Sequence, residues 1–327
     1  MSATMETGTT PTRSTADVDA AFSTMVGRLS RLSAGKGFDA YRDVDWEVDE
    51  GRLDPTDPQW VLPDVDPFAA SDWYRSRSPE EQARLGLVRM ASCLKTGWHF
   101  ENLLQQGLLH RALYLPDGSD EFRYVLHEVI EEAQHTLMFN EFVNRSGVAV
   151  RGMSRWLRLA VEQLVPRVAL ANPAFFFVMV LGGEDPIDCL QRKMLARGGG
   201  HPLLEQIMRI HIAEEARHIS YARSALKKYV PRLGAVRRRS LAIVIPIVLG
   251  IMVRLMVRPT GDVVRAGVPR SVIRDAYCTP AGRALFAECA AKPRVLVREL
   301  GLMTATGESV WKAFGIWDAD APSRPAV

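Results

Sequence analysis

Twice in this chain a glutamate is followed 31 residues later by a second glutamate, and three residues after that by a histidine: Glu101, Glu132 and His135, then Glu184, Glu215 and His218. The second halves sit in nearly identical strings, Glu131-Glu132-Ala133-Gln134-His135 and Glu214-Glu215-Ala216-Arg217-His218. Turn signals fall at both midpoints. Pro116-Asp117 lies halfway between Glu101 and Glu132, and Gly199-Gly200 halfway between Glu184 and Glu215; such Pro and Gly steps reverse a chain. Residues equidistant from the turn of an antiparallel helix pair stand at one height, so each hairpin sets its two glutamates level. A histidine three residues on shares a helical face with its glutamate. The pattern therefore demands two helical hairpins whose acidic and imidazole groups meet.

Local signals supply those helices. Ser78-Pro79-Glu80-Glu81 offers a cap, a proline at the first helical position and a glutamate three residues after the cap, predicting a helix over 78–113. A second is predicted over 119–144, stopping near Gly147. Asn172-Pro173 opens a third, which Gly198-Gly199-Gly200 closes, and a fourth runs over 203–229, before Pro231. No period-2 strand pattern stands out, so the fold class is all-α, a helical bundle with additional helices. Residues 36–77, rich in Asp, Pro and Trp, read as an irregular segment held to the core by its aromatics. The expected organisation is one domain over 18–317 between disordered tails at 1–17 and 318–327. The apolar run 241–257 is shorter than the roughly 20 residues a membrane span needs and is broken by Pro246 and Arg254, so it is expected to be a buried bundle helix.

A glutamate from each of two helices plus Glu-x-x-His from each of two others is the ligand set of dinuclear carboxylate bundles. Four carboxylates offset two divalent cations, and mixed oxygen and imidazole donors suit iron or manganese, whereas the lack of thiolates counts against zinc. The apolar flanks (Val129, Ile130, Leu137 and Met138, then Ile207, Ile210, Ile212 and Ile219) argue for burial. Glu131 and Glu214 stand four residues from each histidine and are alternative ligands; the three-residue spacing favours Glu132 and Glu215. His211 shares a face with Glu215 and His218, as a further ligand or as a hydrogen-bond partner. Its counterpart in the first repeat, 83 residues earlier, is Glu128. Gly182-Gly183-Glu184-Asp185-Pro186 predicts a kink or bulge beside Glu184.

Bulk properties narrow the function classes. The 41 basic and 38 acidic residues are intermixed, for a net charge of +3, which excludes a nucleic-acid-binding patch; Arg237-Arg238-Arg239 reads as a solvated helix end. Cys93, Cys189, Cys278 and Cys289 show no Cys-x-x-Cys spacing, so neither a zinc site nor a disulfide framework is expected, and a reducing cytoplasm fits. The polar, Thr-rich start of the sequence carries no apolar core of a signal peptide.

With these residues in hand, the chain resembles the p-aminobenzoate N-oxygenase family of di-iron enzymes, which have a ferritin-like bundle and a His-x3-Glu-x2-His helix. His211, Glu215 and His218 match that helix, and Glu101, Glu132, His135 and Glu184 match the other four family ligands. The resemblance implies that these seven residues hold two iron ions (manganese being the alternative), with dioxygen as co-substrate and an external electron donor. It implies oxidation of an aryl amine through hydroxylamine and nitroso stages to a nitro group, in a homodimer served by an electron-transfer partner. Leu94, Gly97 and Trp98, one and two turns before Glu101, are the expected pocket residues, and Arg294 and Arg298 the candidate anchors for an anionic group. Competing readings are a di-iron hydroxylase, desaturase or manganese/iron oxidase acting at carbon, a non-enzymatic iron-handling bundle, and a metal-free scaffold.

Overall fold

The computed structural model describes residues 14–47, 53–259 and 261–317, and these are helical with no strand among them. In chain order the helices are α1 (Thr15–Gly35), α2 (Asp72–Arg75), α3 (Pro79–Ala112), α4 (Asp120–Ser146), α5 (Arg155–Ala171), α6 (Pro173–Arg197), α7 (Pro202–Tyr229), α8 (Ala235–Val257), α9 (Gly261–Arg265), α10 (Arg270–Cys278), α11 (Pro280–Cys289), α12 (Ala291–Glu299) and α13 (Ala305–Ala313). The capping signals act as the sequence implies. Ser78 accepts from the Glu81 amide while the Glu81 carboxylate accepts from the Ser78 N–H, and Asn172 accepts from the Phe175 amide. These bonds satisfy amides that would be left unpaired at a helix start.

The α3–α4 and α6–α7 hairpins pack into the centre of the bundle. Helix α1 lies across α4 and α7, α5 covers α3 and α6, and α8 packs on α6 and α13. Helix α8 is long and apolar enough to cross a membrane, the one such helix among the described residues; half of its most apolar window is buried inside the protein, through Leu241, Ile245, Leu249, Val253 and Met256. Arg237 and Arg239 are exposed in its first turns.

Three expectations need correction. Helix α1 begins at Thr15, inside the stretch expected to be a disordered tail, because Ser14 and Asp17 form a reciprocal capping box; residues 1–13 and the 318–327 tail lie outside the described residues. Helix α5, unread in the sequence, fills the interval before Asn172. Helix α6 is α-helical at every residue from Pro173 to Arg197 with Pro186 inside it, so of the kink or bulge expected beside Glu184 the bulge is not formed. The glycines there serve close packing instead: a Cβ on Gly183 would lie 2.0 Å from the Phe100 ring, and one on Gly182 3.2 Å from Met252.

The irregular 53–77 stretch is nailed down at Trp60, the last residue of a 3-10 turn (Pro58–Trp60). Its indole stacks on His201 at 4.1 Å and meets Phe142 edge-on at 5.8 Å. The backbone of this turn presses on α3, where a Cβ at Gly86 would sit 1.8 Å from the Trp60 carbonyl oxygen. Backbone cannot yield as a side chain does. Gly86→Ala should therefore cost about 3 kcal/mol, the upper end of overpacking penalties, read as a lowered calorimetric melting temperature.

Candidate metal centre

Glu101 on α3, Glu132 and His135 on α4, Glu184 on α6, and His211, Glu215 and His218 on α7 all point into the bundle, and none is more than 2% exposed. Their donor atoms form overlapping groups whose members lie within 4.8 Å of one another: Glu101 with His135, His211 and Glu215; Glu128 with Glu132 and His218; and the four glutamates 101, 132, 184 and 215 together. His135 Nδ1 is 3.3 Å from Glu132 Oε2 and 3.2 Å from Glu215 Oε1. His218 Nδ1 is 2.9 Å from Glu132 Oε1 and 3.2 Å from Glu215 Oε1. His211 Nε2 stands 3.4 Å from Glu101 Oε1. The two hairpins thus bring all seven predicted residues together.

The neighbouring glutamates reach across the bundle. His218 Nε2 donates to Glu131 of the opposite hairpin at 2.7 Å, and His135 Nε2 to Glu214 at 3.1 Å. Arg217 ties both acceptors together, donating to Glu131 at 2.7 Å and Glu214 at 3.0 Å. Such outer carboxylates fix the orientation of an imidazole and raise its basicity as a ligand. They leave Nδ1 of each ring facing the inner carboxylates. Gln191 does the same for His211, accepting at 3.0 Å from Nδ1 so that Nε2 faces Glu101. Gln191 lies seven residues after Glu184, two turns along the same face of α6, a spacing that could have revealed it. The apolar flanks are less uniformly buried than expected: Ile130 and Leu137 are exposed, on the outer side of α4.

The electrostatics show what the cluster lacks. Burial pushes the Glu101 and Glu184 carboxyls well above the usual range, and the charges of Glu132 and Glu215 push the same way. Burial also acts on Glu132 and Glu215, but the imidazoles of His218 and His135 outweigh it, holding Glu132 at about 2 and Glu215 low as well. His135 and His218 are raised in turn: their carboxylate partners overcome the burial that would discharge them. His211, pushed by burial to about 4, stays neutral. Without ions the cluster therefore keeps protons on Glu101, Glu184, His135 and His218. Glu128 beside them is raised as well, to about 8, and these protons stand where bound cations would supply positive charge. Glu101 Oε2, both Glu184 oxygens and Glu215 Oε2 are buried without a hydrogen-bond partner, a costly state for carboxylates. Buried oxygen and imidazole donors with no thiolate among them fit iron or manganese.

Beside Glu101, Glu184 and His211 lies a cavity of about 40 Å³ lined by Leu94, Gly97, Phe100, Phe139 and Met208. Leu94 and Gly97 are placed as predicted. Trp98 is not, because α3 turns it away from the cavity and Lys95 sits 3.0 Å over its ring. Arg294 is buried elsewhere, its Nη1 donating to the Ala287 and Ile316 carbonyls, and Arg298 is exposed. Both serve or flank the C-terminal helices rather than this cavity.

Four helices converging carboxylates and imidazoles on one buried point define a helical-bundle protein built around a carboxylate–histidine cluster. The sequence profile of p-aminobenzoate N-oxygenase AurF matches residues 19–301, and the chain belongs to that family. It is 40% identical over 297 residues to an uncharacterised protein of Mycobacterium tuberculosis (strain CDC 1551 / Oshkosh), covering 90% of this chain and 87% of that one. An uncharacterised protein of Mycobacterium bovis (strain ATCC BAA-935 / AF2122/97) is 39% identical over the same length and shares.

Glu128 offers a direct test of the electrostatics. Burial, more than any neighbour, pushes its carboxyl from 4.5 up to about 8. A raised carboxyl contributes full stability below the unfolded value and loses it as pH rises towards the folded one. In the metal-free protein Glu128→Gln should thus be neutral at pH 4 and stabilising at pH 7 by about 3 kcal/mol. Calorimetric melts of both proteins at the two pH values check this.

Proposed function

We propose that this protein is a di-iron oxygenase that uses dioxygen and externally supplied electrons to oxidise the nitrogen of an aryl amine, through hydroxylamine and nitroso stages, to a nitro group. The observation that carries the reading is the third imidazole: His211 joins Glu215 and His218 on α7 at the same buried point as the four other residues, in a chain of the AurF family. Glu101, His135, His211 and Glu215 would hold one ion, Glu132 and His218 the other, with Glu184 among the four central carboxylates. When bound, the iron pair supplies the reduction of dioxygen.

The remaining work falls to the chain itself. Glu131, Glu214 and Arg217 hold the His135 and His218 rings in place, and Gln191 holds His211. The apolar walls of the cavity exclude water from the reacting groups and suit a flat, uncharged portion of a substrate. No lysine or arginine lines that cavity, which favours an amine whose reacting end carries no carboxylate. The same wall also accommodates the second reading, oxidation at carbon.

Iron-loaded, reduced protein exposed to dioxygen with a series of aryl amines should yield nitroaromatic products, seen by their absorbance and by mass. Products oxidised only at carbon would transfer support to the second reading. Purified protein is expected to take up about two iron ions per chain. Glu184→Ala and His211→Ala should each lower that to about one or less, with the fold retained by circular dichroism.

A further inference from the structure

Seven arginines line one open cleft of about 890 Å³ between the start of α5 and the end of α8; Arg254 donates to the Gly250 and Phe314 carbonyls and Arg265 pairs with Asp262, which leaves five: Arg151, Arg155, Arg158, Arg258 and Arg270. None of them has a carboxylate partner among the described residues. The nearby acid, Asp262, is occupied otherwise: it accepts from the Arg151 and Gly152 amides and from Ser92, and pairs with Arg265. It shapes the cleft without neutralising it. The excess positive charge registers on neighbouring groups. Burial, then Arg158 and Lys95, hold His99 at about 4, and burial, then Arg258, lower Arg254.

The floor of this cleft is apolar. Met153, Leu157 and Leu255 line it and also line a deeper cavity of about 130 Å³ between α3, α5, α6 and α8. Only hydrophobic side chains face that cavity, among them Leu103, Val161, Val165, Phe176 and Met252. Its inner end is Phe100, which also lines the cavity beside the metal residues. Phe100 immediately precedes Glu101 and packs on Gly183, next to Glu184. Charged cleft, apolar cavity and metal-side cavity therefore adjoin in turn, with Met153, Leu157 and Leu255 at one boundary and the Phe100 ring at the other. Helix α5, on the outer side of this cavity, is mostly exposed, with Val165 and Ala169 its buried residues.

We propose that the substrate is an amphiphile, with an acidic head (carboxylate or phosphate) held in the arginine cleft and an apolar body running between α5 and α8 to present its far end at the metal cluster. Only that last step rests on the oxygenase reading. A small anion would need the cleft alone, and an acidic redox protein would need only the surface around it. The apolar cavity that borders the cleft and reaches Phe100 is the feature neither explains.

Calorimetric titration of the iron-loaded protein with dodecanoate, dodecyl phosphate, dodecanol and inorganic phosphate tests the assignment. At least one of the two acidic amphiphiles should bind about ten-fold or more tighter than both dodecanol and inorganic phosphate, and the better of the two identifies the head. Arg155→Glu with Arg258→Glu should remove that advantage by a similar factor while leaving dodecanol binding unchanged. Val161→Trp, which fills the apolar cavity, should abolish the gain from the chain while leaving inorganic phosphate untouched. Iron content and melting temperature, measured on each variant, show that it remains folded. Equal affinity for all four compounds, or binding only to phosphatidylglycerol vesicles or to an acidic redox protein, would overturn the proposal. Amphiphile binding in a protein that fails to load iron would uphold the cleft and cavity and sink the oxygenase reading; iron loading and dioxygen consumption with no amphiphile binding would do the reverse.

Discussion

The structure is organised around an electrostatic conflict. Four carboxylates share one dry point in the bundle, where like charges repel strongly and desolvation penalises each of them. Positive charge has to enter, and the histidines meet only part of that need. The position of every central helix follows from bringing those groups within reach of the same small volume. The rest of the fold (α1 across the hairpins, α5 and α8 on their flank, the C-terminal helices against α8) keeps water away from it, which is what gives the interactions their strength.

Much of this was readable in the sequence, for identifiable reasons. Caps and turns are local, so Ser78, Asn172 and the glycines at 198–200 announce their helices without reference to anything distant. The doubled Glu-x30-Glu-x2-His spacing is long-range, but a hairpin turns it into a simple symmetry about a turn. What stayed hidden depends on how helices rotate about their own axes. Nothing in the strings around Glu131 and Glu214 says that each will serve the histidine of the other hairpin, or that Trp98 will face away from the cavity. The arginine cleft was hidden for a different reason: its members are spread from Arg151 to Arg270, and composition averages them against acids that lie elsewhere. Helix α5 escaped notice because its exposed leucines blur the apolar stripe and Pro166 interrupts its pattern. At Gly182-Gly183, the sequence cue was real but its meaning was packing; Phe100 takes the space that a side chain would occupy.

The two halves of the cluster resemble one another without being equivalent. Where the second hairpin places His211, the first places Glu128, and each joins a different group of donors. A neutral imidazole on one side and an acid on the other make the two donor groups unequal in charge and donor strength.

The crossed pairing of His218 with Glu131 and His135 with Glu214 also bears on assembly. Neither hairpin carries the carboxylate that orients its own Glu-x-x-His imidazole; His211 alone is held within its hairpin, by Gln191 of α6. Those two crossed bonds exist only where both hairpins have docked and Arg217 bridges their acids. The shape of the cluster is thus a property of the docked pair of hairpins and of neither alone.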